Sequence, residues 1–221
     1  MKYRFTKLLL GLIVAIIAFP ACGNAAGDKP RIRISIIQDG PWARFSEALS
    51  VVKREVLALT EAEFAVSFPD ATTVNGHWTR AGINEALDRQ LTNPEVDLII
   101  TLGYVVSHEV VKRRELAKPV IAALLIDVDL EKLPMVEGGS GIRNLSYIDR
   151  QKRLDQAMFS FQDIAPFQHL TILADSFIVE ALPQIIDAAK TLAAKKSMRL
   201  SVIGVENSAA AAIRSNSALE T

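Results

Sequence analysis

The sequence predicts an α/β protein of two lobes, each built on a parallel sheet, and three observations predict it. From residue 31 onward, apolar strand-like runs alternate with amphipathic helical stretches, the rhythm of βαβ units. Residues 96–102, VDLIITL, form an almost continuous apolar run, as expected for a central parallel strand covered on both faces. The strand-like runs end in turn residues such as Asp39-Gly40, Gly103 and Asp127, where loops of a βαβ sheet begin. With 50% of its residues hydrophobic and only 11 glycines and 9 prolines, the chain has the material for a sizeable core.

The elements follow in order. Residues 1–27 read as a secretion signal: basic Lys2, Arg4 and Lys7, an apolar run over residues 8–19 too short to span a bilayer stably, then small residues. The single cysteine, Cys22, allows two readings. In one, Phe19-Pro20-Ala21-Cys22 is a lipobox and Cys22 takes a lipid. In the other, cleavage after Gly23-Asn24-Ala25 discards it. Both place the mature protein in the periplasm or cell envelope, lipid-anchored in the first case, and neither leaves a disulfide. The first 27 residues carry three bases and no acid, so a chain balanced at 25 basic and 25 acidic residues becomes slightly acidic without them. No basic stripe or interleaved aromatics suggests a nucleic-acid partner.

The first lobe, residues 28–137, opens with a strand over 31–37, where Ile32, Ile34 and Ile36 are spaced by two. A helix over 43–59 aligns Phe45, Leu49, Val52, Val56 and Leu59 on one face. A second strand over 63–68, a loop over 69–77 and a helix over 81–91 precede the run at 96–102. A third helix spans 105–116 and a fourth strand 120–126. Leu133-Pro134 and Gly138-Gly139-Ser140-Gly141 then break the pattern, and a crossing between lobes is expected there, with a short strand over 142–147. The second lobe, residues 140–221, holds a helix over 149–165 and a strand over 170–174. A further helix, with Pro183 in its first turn, runs to 196, followed by a strand over 200–205 and a helix starting at 207. Two firm strands make a small α/β lobe, so this half reads as truncated.

Catalytic signatures are missing. Gly138-Gly139-Ser140-Gly141-Ile142 lacks the last glycine of a nucleophile elbow, and no phosphate-cradling or dinucleotide glycine pattern follows a strand, so neither an enzyme nor a bound cofactor is expected. His77, His108 and His169 stand far apart, outside any metal-ligand spacing, and read as helix-surface or loop residues. Chemistry gathers instead at the carboxyl ends of the strands, where open parallel sheets bind ligands. Gln38, Asp39 and Trp42 follow the first strand. Gly103, Tyr104 and Ser107 follow the third, and Asp127 the fourth, while Tyr147 and Asp175 hold the matching edge of the second lobe. Each also has a bland reading: a turn at Asp39-Gly40, core for Trp42, a backbone cap for Asp127.

The run 96–103, the stretch Lys118-Pro119-Val120-Ile121-Ala122-Ala123 with Asp127, and the order of elements across 151–209 resemble the extracytoplasmic substrate-binding proteins of ABC transporters. The resemblance implies two Rossmann-like lobes of the type I periplasmic-binding-protein fold. It further implies a small polar or aromatic solute caught between the lobes, and an ABC permease in the inner membrane as partner. A solute-sensing or accessory envelope lipoprotein, or more remotely a secreted enzyme, would share these features. Gly103-Tyr104 stands where that family usually has Gly-Thr or Gly-Ser, Asp127-Val128 where it has Asp-Pro, and Arg143-Asn144-Leu145-Ser146 where it often has Asn-x-Thr-Gly. A phenol in place of a small hydroxyl changes pocket volume and stacking surface, so the solute's identity does not carry over.

Overall fold

The computed structural model describes residues 29–41, 43–148 and 153–206. The expected signal with Cys22, Trp42 and the helix expected from residue 207 lie outside them. Two parallel sheets carry the fold. In the first, β1 (Arg31–Gln38) is flanked on one side by β2 (Ala65–Ser67) and β3 (Thr73–Asn75). On its other side come β4 (Leu98–Leu102), β5 (Val120–Ala122) and β6 (Leu145–Tyr147), every pairing parallel.

Alternation along β1 explains its apolar sequence. Ile34 and Ile36 face one layer with Ile100 and Leu102, against which Leu49 and Val56 of α1 (Ala43–Thr60) pack. Ile37 and Ile99 face the opposite layer, shared with α2 (Arg80–Thr92) and α3 (Tyr104–Val111). The two faces of β4 are thus both covered, as its unbroken run of apolar residues requires. Thr79 caps α2 by accepting from the Gly82 N–H at 3.0 Å, and Ile83, Ala86, Leu87 and Leu91 bury its inner face.

Three expectations are corrected. The loop over 69–77 contains a 3-10 turn (Asp70–Thr72) followed by β3, so on this side β1 pairs with β2 at Arg31–Arg33 and again with β3 at Ile36–Gln38. The insertion is pinned where the Ser35 hydroxyl donates to the Thr72 carbonyl at 2.7 Å. The fourth strand ends at Ala122, not 126: Leu125 is buried in the core from a loop, and its apolar character reflects burial without pairing. The third helix ends at Val111, because the polar run 112–115 turns out of the core and Leu116 returns to it outside the helix. The short strand expected over 142–147 is β6, which extends the first sheet beside β5.

The second sheet pairs β7 (His169–Asp175) with β8 (Arg199–Val205) over seven residues. Met158 of α4 (Arg153–Ile164) and Ala189 and Ala193 of α6 (Pro183–Ala194) pack on it with Met198 and Leu200. Pro183 occupies the first turn of α6, where its missing N–H has no helical partner to lose. Between β7 and α6 lies α5 (Ser176–Ala181). Phe177, Ile178, Ala181, Leu182 and Ile185 pack into the core beneath α3, so the connection after β7 joins the two sheets.

Candidate functional site at the carboxyl edge

Because every strand of the first sheet is parallel, the ends of β1, β3, β4, β5 and β6 open onto one edge. Asp39 follows β1 and reaches the neighbouring strand's exit. Its Oδ1 accepts from the Val106 N–H at 2.7 Å and its Oδ2 from the Val105 N–H at 3.1 Å, so the carboxylate closes the first turn of α3. Gly103 is what lets it in. A Cβ at position 103 would sit 2.5 Å from the Asp39 Cγ, while the backbone there is extended and suits any residue. Asp39 is 3% exposed. Burial raises its pKa above the ordinary carboxylate value, the N–H groups of Val106, Val105 and Tyr104 pull it down, and the charge of Asp175 raises it further.

Beside Asp39, the chain leaving β3 turns sharply. The Gly76 N–H donates to the Gln38 carbonyl at 3.0 Å and the Trp78 N–H to the Asp39 carbonyl at 2.9 Å. His77 and Trp78 both take left-handed conformations, with φ of 52° and 57°. Two consecutive non-glycine residues there store strain on the order of 1–3 kcal/mol each. The Trp78 indole lies over Gly40 so closely that a Cβ at position 40 would collide with its ring. A further neighbour comes from the second sheet's side: the Phe177 ring meets it edge to face, centroids 5.8 Å apart at 78°.

One helical turn below the α3 N-terminus lies a buried polar relay. The His108 Nδ1 faces the Glu131 Oε2 at 2.7 Å and its Nε2 faces the Gln184 Nε2 at 2.7 Å. Glu131 Oε1 also accepts from the N–H groups of Ile126 at 2.8 Å and Asp127 at 3.3 Å. An acceptor carboxylate calls for the proton on Nδ1, which leaves Nε2 to accept from the Gln184 amide. His108 is 4% exposed, which corrects its reading as a surface or loop residue. The physical reason is that α3 is buried on all sides, so no surface face exists for a histidine to occupy. His77 and His169 are exposed, His77 in the turn after β3 and His169 at the start of β7.

Of the residues expected at this edge, Asp39 and Gly103 touch, and Asp175 acts on Asp39 electrostatically. Gln38 ends β1 beside them, and Tyr104 opens α3, half-buried against the core. The others are engaged within the fold. Ser107 is fully buried, its hydroxyl 2.8 Å from that of Thr101. Asp127 accepts from the Leu130 N–H at 3.0 Å, capping its own turn. The Tyr147 hydroxyl donates to the Pro134 carbonyl, and Asp175 caps α5 by accepting from the Phe177 N–H at 2.9 Å. Trp42 lies outside the described residues. Sequence reasoning missed Trp78 and Phe177, and the signal that could have found Trp78 is the strand-end position of Gly76-His77-Trp78. No cluster of three metal-ligating side chains occurs among the described residues.

With this geometry in hand, the chain can be set beside known proteins. No family model and no curated protein matches it. Solved structures similar to it include the following two. One is a conserved domain protein from Vibrio cholerae O1 biovar El Tor, at 14% identity and a TM-score of 0.56. The other is the ABC domain in complex with L-Trp from Streptococcus pneumoniae, at 14% identity and a TM-score of 0.57. What they share with this chain is the fold. It is a Rossmann-like α/β fold of the periplasmic-binding type. Each likeness covers 80% of this chain and 58% of the other, so the chain spans little more than half the length of those proteins.

Proposed function

We propose that this protein captures a small polar or aromatic solute at the carboxyl edge of its first sheet, as the extracytoplasmic binding component of an ABC transporter. One observation carries the reading. At the edge where parallel sheets bind ligands, Asp39, Gly103 and Trp78 from the first sheet meet Asp175 and Phe177 from the connection that follows β7. A solute touching both groups favours the arrangement that brings them together, and shifts it only by its differential affinity for that state. The structure from Streptococcus pneumoniae that holds L-Trp supports a solute-binding role on the same fold. An inner-membrane permease is the proposed partner, and export with processing before Gly27 the proposed route to the envelope.

The test is a thermal-shift screen of the full, processed chain against amino acids, nucleosides, sugars and inorganic anions. A solute that binds only the native state raises the melting temperature, by an amount that grows with its concentration over Kd. A shift confirmed by calorimetry is the expected result, and no shift from any class would overturn the reading. Mass spectrometry of the cell-envelope protein should find processing before Gly27, with a diacylglyceryl mass if Cys22 is retained. An intact Met1 species in the cytoplasm would count against export.

A further inference from the structure

Trp78 is held in place more tightly than a packing residue needs. Its backbone is left-handed, its N–H is tied to the Asp39 carbonyl at 2.9 Å, and Gly40 leaves its ring no room for even a methyl group beneath it. Strain and a dedicated glycine place one half-buried indole at the sheet edge, against a ring from the other side of the fold. Strained backbone persists where the surroundings over-determine it, and such places cluster at ligand clamps.

From this we infer that Trp78 is the specificity-determining wall of the site, and that the solute is a flat aromatic molecule inserted between Trp78 and Phe177. The inference rests on the solute-binding reading above and narrows its substrate class. The two rings stand 5.8 Å apart and nearly perpendicular, a direct edge-to-face contact. A third ring stacked between two others holds them about 7 Å apart, twice the carbon contact distance of about 3.5 Å. Binding therefore exchanges the direct contact for two stacked ones. Both rings are packed, Trp78 on Gly40 and Phe177 against the core, so entry of a third ring requires one of the two side chains to swing aside. An aliphatic solute of the same shape fills the gap without the ring-face attraction, and that difference is the selectivity.

Calorimetry on the full, processed chain tests this with matched probes: L-phenylalanine against L-cyclohexylalanine, and L-tryptophan, indole and adenosine against L-leucine and ribose. The aromatic member of a pair should bind about 10-fold tighter or more. Trp78→Leu should lose roughly that factor for aromatic probes and clearly less for aliphatic ones, while Trp78→Phe should stay within about 3-fold of the parent. Melting curves establish that each variant is folded. If Trp78→Leu does not fold, the matched probes on the parent and Trp78→Phe decide. Equal affinity for phenylalanine and cyclohexylalanine, or unchanged aromatic binding in Trp78→Leu, overturns the inference and leaves the solute-binding reading standing. Binding by none of the probes, with no shift across the wider screen, overturns both.

Discussion

At the amino edge of the first sheet, Arg33 enters β1 with its guanidinium spread across Asp97 at 2.9 and 3.0 Å and Glu95 at 2.6 Å, while at the carboxyl edge Asp39 is sealed from water and bonded to backbone N–H groups. Hydrogen bonding to Arg33 lowers the Asp97 pKa to about 2, and burial raises that of Asp39. One residue type, at the ends of strands that pair with each other, is pushed in opposite directions. The difference lies in what each carboxylate does. Asp97 fastens the entry of β4 to that of β1 while staying a third exposed, so its charge is solvated and paired together. Asp39 occupies the free N–H groups of α3 at a spot that requires Gly103 and adjoins a strained turn. The first edge holds its carboxylate paired and solvated, whereas the second keeps a buried carboxylate and strain that a purely structural edge would not retain.

The sharpest way to break the comparison is Gly103→Ala. Its new Cβ meets a carboxylate held by two backbone donors, so the neighbour cannot simply rotate aside. The expected loss is about 2–3 kcal/mol by urea unfolding. Asp39→Ala alone should cost about 1 kcal/mol as a lost cap. Combined with Gly103→Ala it should give clearly less than the sum, because removing the carboxylate removes the clash. Strict additivity would mean that the two residues do not share that space.

Next in size is the buried relay. His108→Leu strips Glu131 of a side-chain donor and leaves it two backbone N–H groups, for an expected loss of about 1–3 kcal/mol. Gln184→Leu removes a neutral bond and should cost about 1 kcal/mol. Equal losses for the two would show that the charge on Glu131 does not matter to the relay.

These residues also mark where sequence reasoning stops. β1, β4, β7 and β8 were legible because short apolar runs of strand length, closed by turn residues, do not fit the face of an amphipathic helix. The carboxyl-edge position of Asp39 and Gly103 followed from strand order alone. β3 was not legible, since Thr73-Val74-Asn75 offers one apolar residue and its pairing depends on a three-residue insertion seen only against β1. His108 was misplaced because amphipathic spacing assumes that a helix has an outside. The Trp78–Phe177 contact joins residues nearly a hundred positions apart, and no local pattern encodes that. Nor could spacing tell that Ser107 would be buried against Thr101, or that Asp175 would cap the helix following its own strand.

The smallest expected effect sharpens the comparison most, because it tests sign and not size. A carboxylate whose folded pKa lies below its unfolded value of about 3.9 contributes stability above that value and loses it as the pH falls. Asp97 should therefore weaken the fold between about pH 4 and 2, the window set by its folded value of about 2. Asp39 has a raised folded pKa, so its contribution is full below about 3.9 and is lost as the pH rises through the folded value. Urea unfolding from pH 2 to 6 separates the two. Asp97→Asn should flatten the acid side of the stability profile. Asp39→Asn should flatten the change above about pH 4, whatever it does to the absolute stability through the altered cap. If both substitutions flattened the same limb, the two edges would be titrating alike, and the contrast between a solvated pair and a buried cap would fail.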